Sequence, residues 1–258
     1  NNEHSLAHNF VRTVFEDSKG HLLIGTYIGI QMYDPATDNF TPLAKLEDTG
    51  ETLESNINSF IERKNGEIWV SGNVLCKLDI KDHLLTVRKV DIAVTSPGSL
   101  FEDKKQNVWM AKGEEGVYQL TPDNQLTLHL SKDNGYVKSI CEDQRGNIYV
   151  GSIRKGLFIY DKERKTFVPI DLKEKGELPV CFLYSGIPNE LYIGTDGKGV
   201  VIYNIRTHEI SEYKFDNNYF DSGNSKIHSI LKDNSGNLWL AVYQKGVILI
   251  PARTNSFK

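Results

Sequence analysis

The chain has 258 residues, 39% hydrophobic and 25% charged, a balance typical of a globular domain. A formal net charge of -4 argues against a nucleic-acid binder, which needs a basic excess to displace phosphate counterions. No apolar run approaches the roughly 18 residues of a membrane span, so no membrane contact is expected of these residues.

The opening, NNEHSLAHNF, has neither the basic nor the apolar region of a signal peptide and lacks an initial Met. The chain therefore reads as a piece of a longer protein. Cys76, Cys141 and Cys181 lie in apolar runs without CxxC spacing. They are too few for a disulfide scaffold and read as small buried hydrophobes.

Six related units follow one another. Aligned on Leu23, Trp69, Trp109, Tyr149, Tyr192 and Trp239, they repeat at intervals of 46, 40, 40, 43 and 47 residues. Short strand-like runs at a period in the low forties are the mark of four-stranded propeller blades. Helical repeats of that length would show a 3.6-residue apolar period, and none is present.

Unit one, residues 10–45, reads as FVRTVF, HLLIGT, IQMYD and NFTPL, joined by links rich in Gly, Asp and Pro. The polar link AKLEDTGETLES leads to unit two, residues 56–90. Unit three, 96–130, replaces the turn glycine with Gln106. Unit four, 136–170, contains the clearest copy, EDQRGNIYVGSIRKGLFIYD. Unit five, 179–214, has Ser185-Gly186 in place of the acidic pair, and unit six, 226–258, has Pro251 where others have Asp or Asn. No Pro- or Ser-rich linker divides them. The expected fold is all-β: one β-propeller domain over 1–258, built of four-stranded antiparallel blades. Six repeats make either a six-bladed ring or six blades of a truncated seven-bladed one.

The first strands carry small residues at Thr13, Ser59, Ser99, Ser139 and Ser229, with Phe182 the exception, as crowding near a propeller axis requires. Trp69, Trp109, Tyr149, Tyr192 and Trp239 are expected in the core between blades, where rings bury the most area. The acidic pairs Glu16-Asp17, Glu102-Asp103 and Glu142-Asp143 recur at one position. They read as turn formers that bond their own backbone, since a catalytic carboxylate would more naturally be unique to one blade.

The pattern V-x-S/T-I/V-x-E-D-x-x-G-N-I/L-W-h-G-T-x-x-G-L/I-x-x-Y-D (h apolar), carried best by Val11–Asp34, Val137–Asp161 and Ile227–Ile250, resembles the two-component regulator propeller repeat. The resemblance implies the periplasmic sensor region of Bacteroidetes hybrid two-component proteins. There, propellers precede an immunoglobulin-like domain, a membrane span and a histidine kinase with DNA-binding modules. It further implies a ligand-sensing ectodomain for a glycan-derived oligosaccharide, without catalysis in this piece.

In a four-stranded blade, the links between second and third strands share a face with the starts of the innermost strands, and rigid strands present variable loops there. The ligand-binding candidates on that face are Arg12, Tyr27, Asn58, Lys112, Lys138, Arg154, Lys155, Lys198, His228, Tyr243 and Lys245. Gly98 and Cys181 complete the ring of inner-strand starts. The cations offer charge-assisted hydrogen bonds to a uronate or sulfate, and the tyrosines offer pyranose stacking.

No HExxH, GxSxG or metal-spaced His pair occurs, so no catalytic residue, metal or cofactor is expected. His228 reads as polar filler. As a base it would fit the alternative reading, a small-molecule lyase similar to the streptogramin lyases; a protein–protein docking propeller is a third. Expected partners are an oligosaccharide, the parent's further propeller and immunoglobulin-like domains, and a second copy in a homodimer, with no nucleic acid.

Overall fold

Each repeat folds as an up-and-down antiparallel sheet, because its apolar runs are short and the links between them contain residues that tolerate positive φ. Gly20 (φ 84), Asp38 (φ 54), Asn124 (φ 62) and Gly146 (φ 79) all turn the chain this way. The computed structural model describes residues 5–130, 135–172, 178–213 and 224–252.

Six antiparallel sheets form the blades of a β-propeller. Blade one pairs Val11–Glu16, Leu22–Thr26, Ile30–Asp34 and Asn39–Phe40 in that order. Blade two pairs Ser59–Glu62, Ile68–Ser71, Leu75–Lys81 and Leu84–Lys89, and blade three Leu100–Glu102, Val108–Lys112, Gly116–Leu120 and Leu126–Leu130. Blade four pairs Val137–Glu142, Ile148–Ser152, Gly156–Asp161 and Thr166–Pro169. Blade five pairs Val180–Ile187, Glu190–Thr195, Val200–Asn204 and Ile210–Glu212, and blade six Ile227–Lys232, Leu238–Val242 and Gly246–Ile250.

Two details depart from the expected four strands. Lys45–Leu46, read as link, pairs in parallel with Thr86 and Val87 and gives blade two a fifth strand. The fourth strand expected in unit six falls on residues 253–258, outside the described residues.

The chain divides into two compact units, one of residues 1–112 with 119–127 and one of 113–118 with 128–258. Leu23, Ile30, Met32, Ile57, Phe60, Val70 and Val87 pack together in the first. In the second, Cys141, Tyr149 and Leu157 of blade four meet Val180, Leu183, Leu191 and Tyr203 of blade five. Blade five then packs Tyr192 and Val200 against Ile227, Ile230 and Leu240 of blade six. The three thiols are buried, and burial pushes Cys76 up to about 11 and Cys141 up to about 12.

The contact between successive blades has a simple steric basis. A Cβ added at Gly25 would stand 2.6 Å from Ile57 Cγ2, and one at Gly194 would stand 2.9 Å from Ile227 Cγ2. Gly151 stands in the same relation to Val180. The glycine of each Gly-Thr or Gly-Ser pair is thus the socket for the apolar residue that leads the next blade's inner strand.

Small hydroxyl residues on the inner strands have a further use. Ser59 Oγ accepts the Leu100 amide of blade three (3.3 Å), and Ser139 Oγ accepts the Leu183 amide of blade five (3.0 Å).

The acidic pair divides its labour. In blade three, Asp103 Oδ1 accepts the Lys105 and Asn107 amides, while Oδ2 accepts Asn107 Nδ2 (2.8 Å) and Trp109 Nε1 (2.9 Å). Asp143 and Asp233 hold Asn147 and Asn237 in the same way, and Asp17 holds His21. The Glu member works between blades: Glu62 accepts the Ser18 amide and Glu102 the Lys64 amide, each at 2.7 Å.

Trp69, Trp109, Tyr149 and Tyr192 are buried as expected. Trp239 is not: it is 38% exposed, although its indole N–H still reaches Asp233 (2.9 Å). The local hydrogen bond therefore forms at Trp239 without the burial.

Trp69 is a second departure. Arg63 stands where other blades have Asp, so the indole N–H turns to Glu67 (3.1 Å) and the guanidinium lies 4.6 Å from the ring centroid. Burial opposes ionisation of Glu67, but hydrogen bonds from Lys77, Trp69 and Asn65 lower its pKa from 4.5 to about 2.

Two predictions follow from these clamps. Asp103→Ala strands the buried Trp109 indole and should lower unfolding free energy by about 1–3 kcal/mol in urea titration. Asp233→Ala should cost clearly less, since water reaches Trp239; equal losses would refute the assignment. Glu67 binds protons more weakly folded than unfolded. Its stabilisation is therefore complete above pH 4.5 and lost as pH falls from there toward 2. Glu67→Gln should flatten the melting-temperature curve over that interval, and parallel curves for the two proteins would count against it.

Candidate functional site

The innermost strands begin with a local defect that aims side chains out of the ladder. Pairing with the second strand slips between Val11 and Thr13, between Val137 and Ser139, between Val180 and Phe182, and between Ile227 and Ser229. The skipped residues are Arg12, Lys138, Cys181 and His228. A bulge leaves its extra residue unpaired and re-aims its side chain. Arg12, Lys138 and His228 are exposed, whereas Cys181 is 2% exposed and offers no reactive thiol.

The second-to-third links are stitched to these starts through the backbone. Tyr27 N–H bonds Phe10 O (3.1 Å), Ile153 bonds Tyr136 O (2.9 Å), Asp196 bonds Pro179 O (2.9 Å) and Tyr243 bonds Lys226 O (3.0 Å). A buried hydroxyl holds three of these links from beneath. Thr26 Oγ1 donates to Gly29 O and Thr195 Oγ1 to Gly199 O, while Ser152 Oγ accepts the Arg154 and Lys155 amides. In each of these blades, the bulge residue and its link therefore share one face.

The first unit brings Arg12 and Asn58 together: Arg12 Nη2 donates to Asn58 Oδ1 (3.1 Å), and Asn58 Nδ2 donates to Pro97 O (3.1 Å). Tyr27 is 56% exposed, with its ring near Phe10 (6.3 Å, edge-on) and His8 (5.8 Å). Lys112 Nζ donates to Thr95 Oγ1 (3.2 Å).

The second unit contains a denser group. The His228 and Tyr243 rings lie 5.6 Å apart, and Lys226 is paired with Asp196 at 2.5 Å. Partial burial, then the charges of Lys138 and Lys226, hold the His228 imidazole below its ordinary value. The Asp196 partner holds Lys226 above its own. The outcome is a neutral imidazole and a tyrosine ring beside ammonium groups, all on strand-anchored backbone.

Not every expected cation is equally available. Arg154 Nη1 is bridged to Glu114 Oε1 (3.1 Å), and Lys245 Nζ is bonded to Ser225 Oγ (3.1 Å). Lys155 and Lys198 sit on their links with backbone amides fixed by Ser152 and Thr195. Sequence reasoning missed the Lys226–Asp196 pair, because Lys226 precedes the inner strand and Asp196 belongs to the neighbouring blade's link. Among the described residues, no cluster of three or more His, Cys, Asp or Glu is arranged to hold a metal ion.

Residues 5–27, 131–154 and 221–244 match the two component regulator propeller family. These three segments resemble two-component regulator propeller repeats. Each repeat runs through a bulge residue and into its link, and together they contain Arg12, Tyr27, Lys138, Arg154, His228 and Tyr243. No curated protein matches the chain.

Among solved structures, the repeats resemble the extracellular domains of two B. thetaiotaomicron proteins described as hybrid two component systems. The first has a TM-score of 0.76 at 18% identity over 96% of this chain and 34% of that one; the second has a TM-score of 0.73 at the same identity and coverage. The chain thus spans about a third of their length. Virginiamycin B lyase of Staphylococcus aureus is similar too, with a TM-score of 0.71 and 13% identity over 94% of this chain and 81% of that one. Likeness at these identities establishes the common fold.

The repeat geometry predicts that His228 titrates below the ordinary histidine value of 6.5 in an NMR pH series. Lys138→Met removes one nearby charge and should raise that value toward 6.5. No movement would mean that Lys138 does not face the imidazole.

Proposed function

We propose that this chain is the ligand-sensing propeller of a two-component signalling protein, placed outside the cytoplasm. The observation that carries the reading is that the three matched repeats include the bulge residues and links forming the exposed polar face. The similarity to extracellular domains of hybrid two component systems supports it. The parent protein would couple binding here to a histidine kinase.

The ligand class follows from the side chains. Tyr243 is 55% exposed and offers a stacking face with a polar tip. Lys138 and Lys226 offer charge-assisted hydrogen bonds to a carboxylate or sulfate, and His228 adds a neutral imidazole. An anionic oligosaccharide, such as one containing uronic acid, satisfies all three. Arg154 and Lys155 have a lesser role, since Arg154 is already bridged to Glu114.

A second reading has one observation in its favour: the similarity to virginiamycin B lyase, taken with a neutral histidine on the same exposed face. There His228 would act as a base on a small molecule.

One experiment separates the two. Uronic-acid oligosaccharides and their neutral counterparts are compared by thermal shift and calorimetry, since a ligand of the folded state raises its melting temperature. The sensor reading expects binding of the charged set without turnover, weakened about tenfold or more by Tyr243→Ala or Lys138→Ala. Unchanged affinity in both variants would sink it. Product formation abolished by His228→Ala would establish the lyase reading instead.

A further inference from the structure

Blade two departs from its fellows along one row of side chains. Across its strands the register runs Ile61↔Trp69↔Lys77↔Arg88. The same row in blade four is Cys141, Tyr149, Ile159 and Val168, and in blade five Tyr184, Tyr192, Ile202 and Ser211. The third-strand member is Met32 in blade one and Leu249 in blade six. Of these blades, only blade two has a charge at that position, and it adds another on the strand beyond. Two cations thus stand where the repeat otherwise places side chains without charge.

Both cations line a groove of about 570 Å³ between blades two and three, a size that accepts a small organic molecule. All of its lining residues belong to the first compact unit. None of them is a candidate on the face of bulges and links. On one side, Arg63, Lys77, Arg88 and Lys89 outnumber Glu67 and Asp91. The other side is apolar, with Val108 and Leu120 of blade three and the half-buried Ile92 between the blades.

The cations differ in how far they are committed. Arg63 Nε donates to Glu102 Oε1 (2.9 Å) and Nη2 to Gln106 O (3.2 Å), which clasps the turn of blade two to that of blade three. Lys77 Nζ lies 2.5 Å from Glu67 Oε1, a contact that uses one of the ammonium's three donors. Arg88 is the least committed. Its side chain is 67% exposed, and its Nε stands 4.0 Å from the carboxylate of the similarly exposed Glu47, a pairing of little net strength. The guanidinium can therefore offer its fork to both oxygens of an incoming carboxylate.

We propose that this groove binds a small organic carboxylate with an apolar body. Arg88 grips the carboxylate, Lys77 donates to one of its oxygens, and the body lies against Ile92, Val108 and Leu120. A neutral molecule of the same shape leaves the Arg88 charge unanswered, and an inorganic anion leaves the apolar side wet. The clasp at Arg63 fixes the turns before any ligand arrives, which lowers the ordering cost of binding. The groove is separate from the sensing face, so its occupancy does not depend on an oligosaccharide.

The test is an NMR titration of the 258-residue chain, read at the Trp69 indole N–H and assigned with Trp69→Phe. Trp69 lines the groove, and Lys77 Nζ lies 5.5 Å from its ring centroid, so a ligand that draws on Lys77 changes the ring's surroundings. The probe is sodium 4-phenylbutyrate, added to about 10 mM at constant ionic strength, above the roughly millimolar dissociation constant expected of a ligand of this size. The resonance should move saturably. The uncharged 4-phenylbutyramide and inorganic phosphate should each bind about tenfold or more weakly than the carboxylate. Arg88→Ala, an exposed change checked for folding by circular dichroism, should weaken 4-phenylbutyrate by about tenfold or more. No saturable movement overturns the proposal. So does equal binding of the amide or of phosphate, or an affinity unchanged in Arg88→Ala.

Discussion

The absence of a side chain at one position per blade governs how the blades meet. Gly25, Gly151 and Gly194 each leave only enough room for a methyl group of Ile57, Val180 or Ile227. Even an alanine there would push the next blade outward, because close-packed interiors give little. In blades five and six the inserted residue, Val180 or Ile227, is the last one in register before the inner strand bulges at Cys181 or His228. Packing at the joint and presentation at the surface are therefore one feature. The bulge that lets a Val or Ile reach its socket is the same bulge that turns the following side chain out.

That coupling explains what was and was not legible in the sequence. Strand boundaries were legible because turn residues and apolar runs alternate, and nearly every expected strand is present. The turn role of the aspartates was legible from their recurrence. The bulges were not, since a one-residue slip leaves no compositional trace. Arg12, Lys138 and His228 were singled out as inner-strand starts, without the reason that they project. Trp239 was misjudged because a repeat pattern assigns every copy the same burial, whereas this copy is 38% exposed. Lys45–Leu46 escaped notice because two residues carry no periodicity.

Electrostatics sorts the candidate residues further. A chain of net charge -4 still exposes a cationic group at Lys138, Lys226 and Lys245, but the lysines differ in use. Lys226 is committed to Asp196, which orders it and at the same time reduces the field it presents to solvent. Arg154 is committed to Glu114 in an exposed pair, an arrangement of small net strength that an incoming anion could displace. Lys138 has a different effect: its charge helps keep His228 neutral, so the imidazole can accept a hydrogen bond from a ligand hydroxyl. A face of this kind orients polar groups through backbone that the strands hold, which lowers the ordering cost of binding.

The division of the acidic pair shows why such a chain is polar from end to end. The Asp works within its own blade, so it is satisfied whether or not the ring it holds is buried, as Asp233 and Trp239 demonstrate. The Glu works across the joint, so it is satisfied only where a preceding blade supplies an amide. Repeat arrays are stabilised by terms within each unit and terms between neighbours. Here the two kinds of term are written into adjacent residues of one dipeptide.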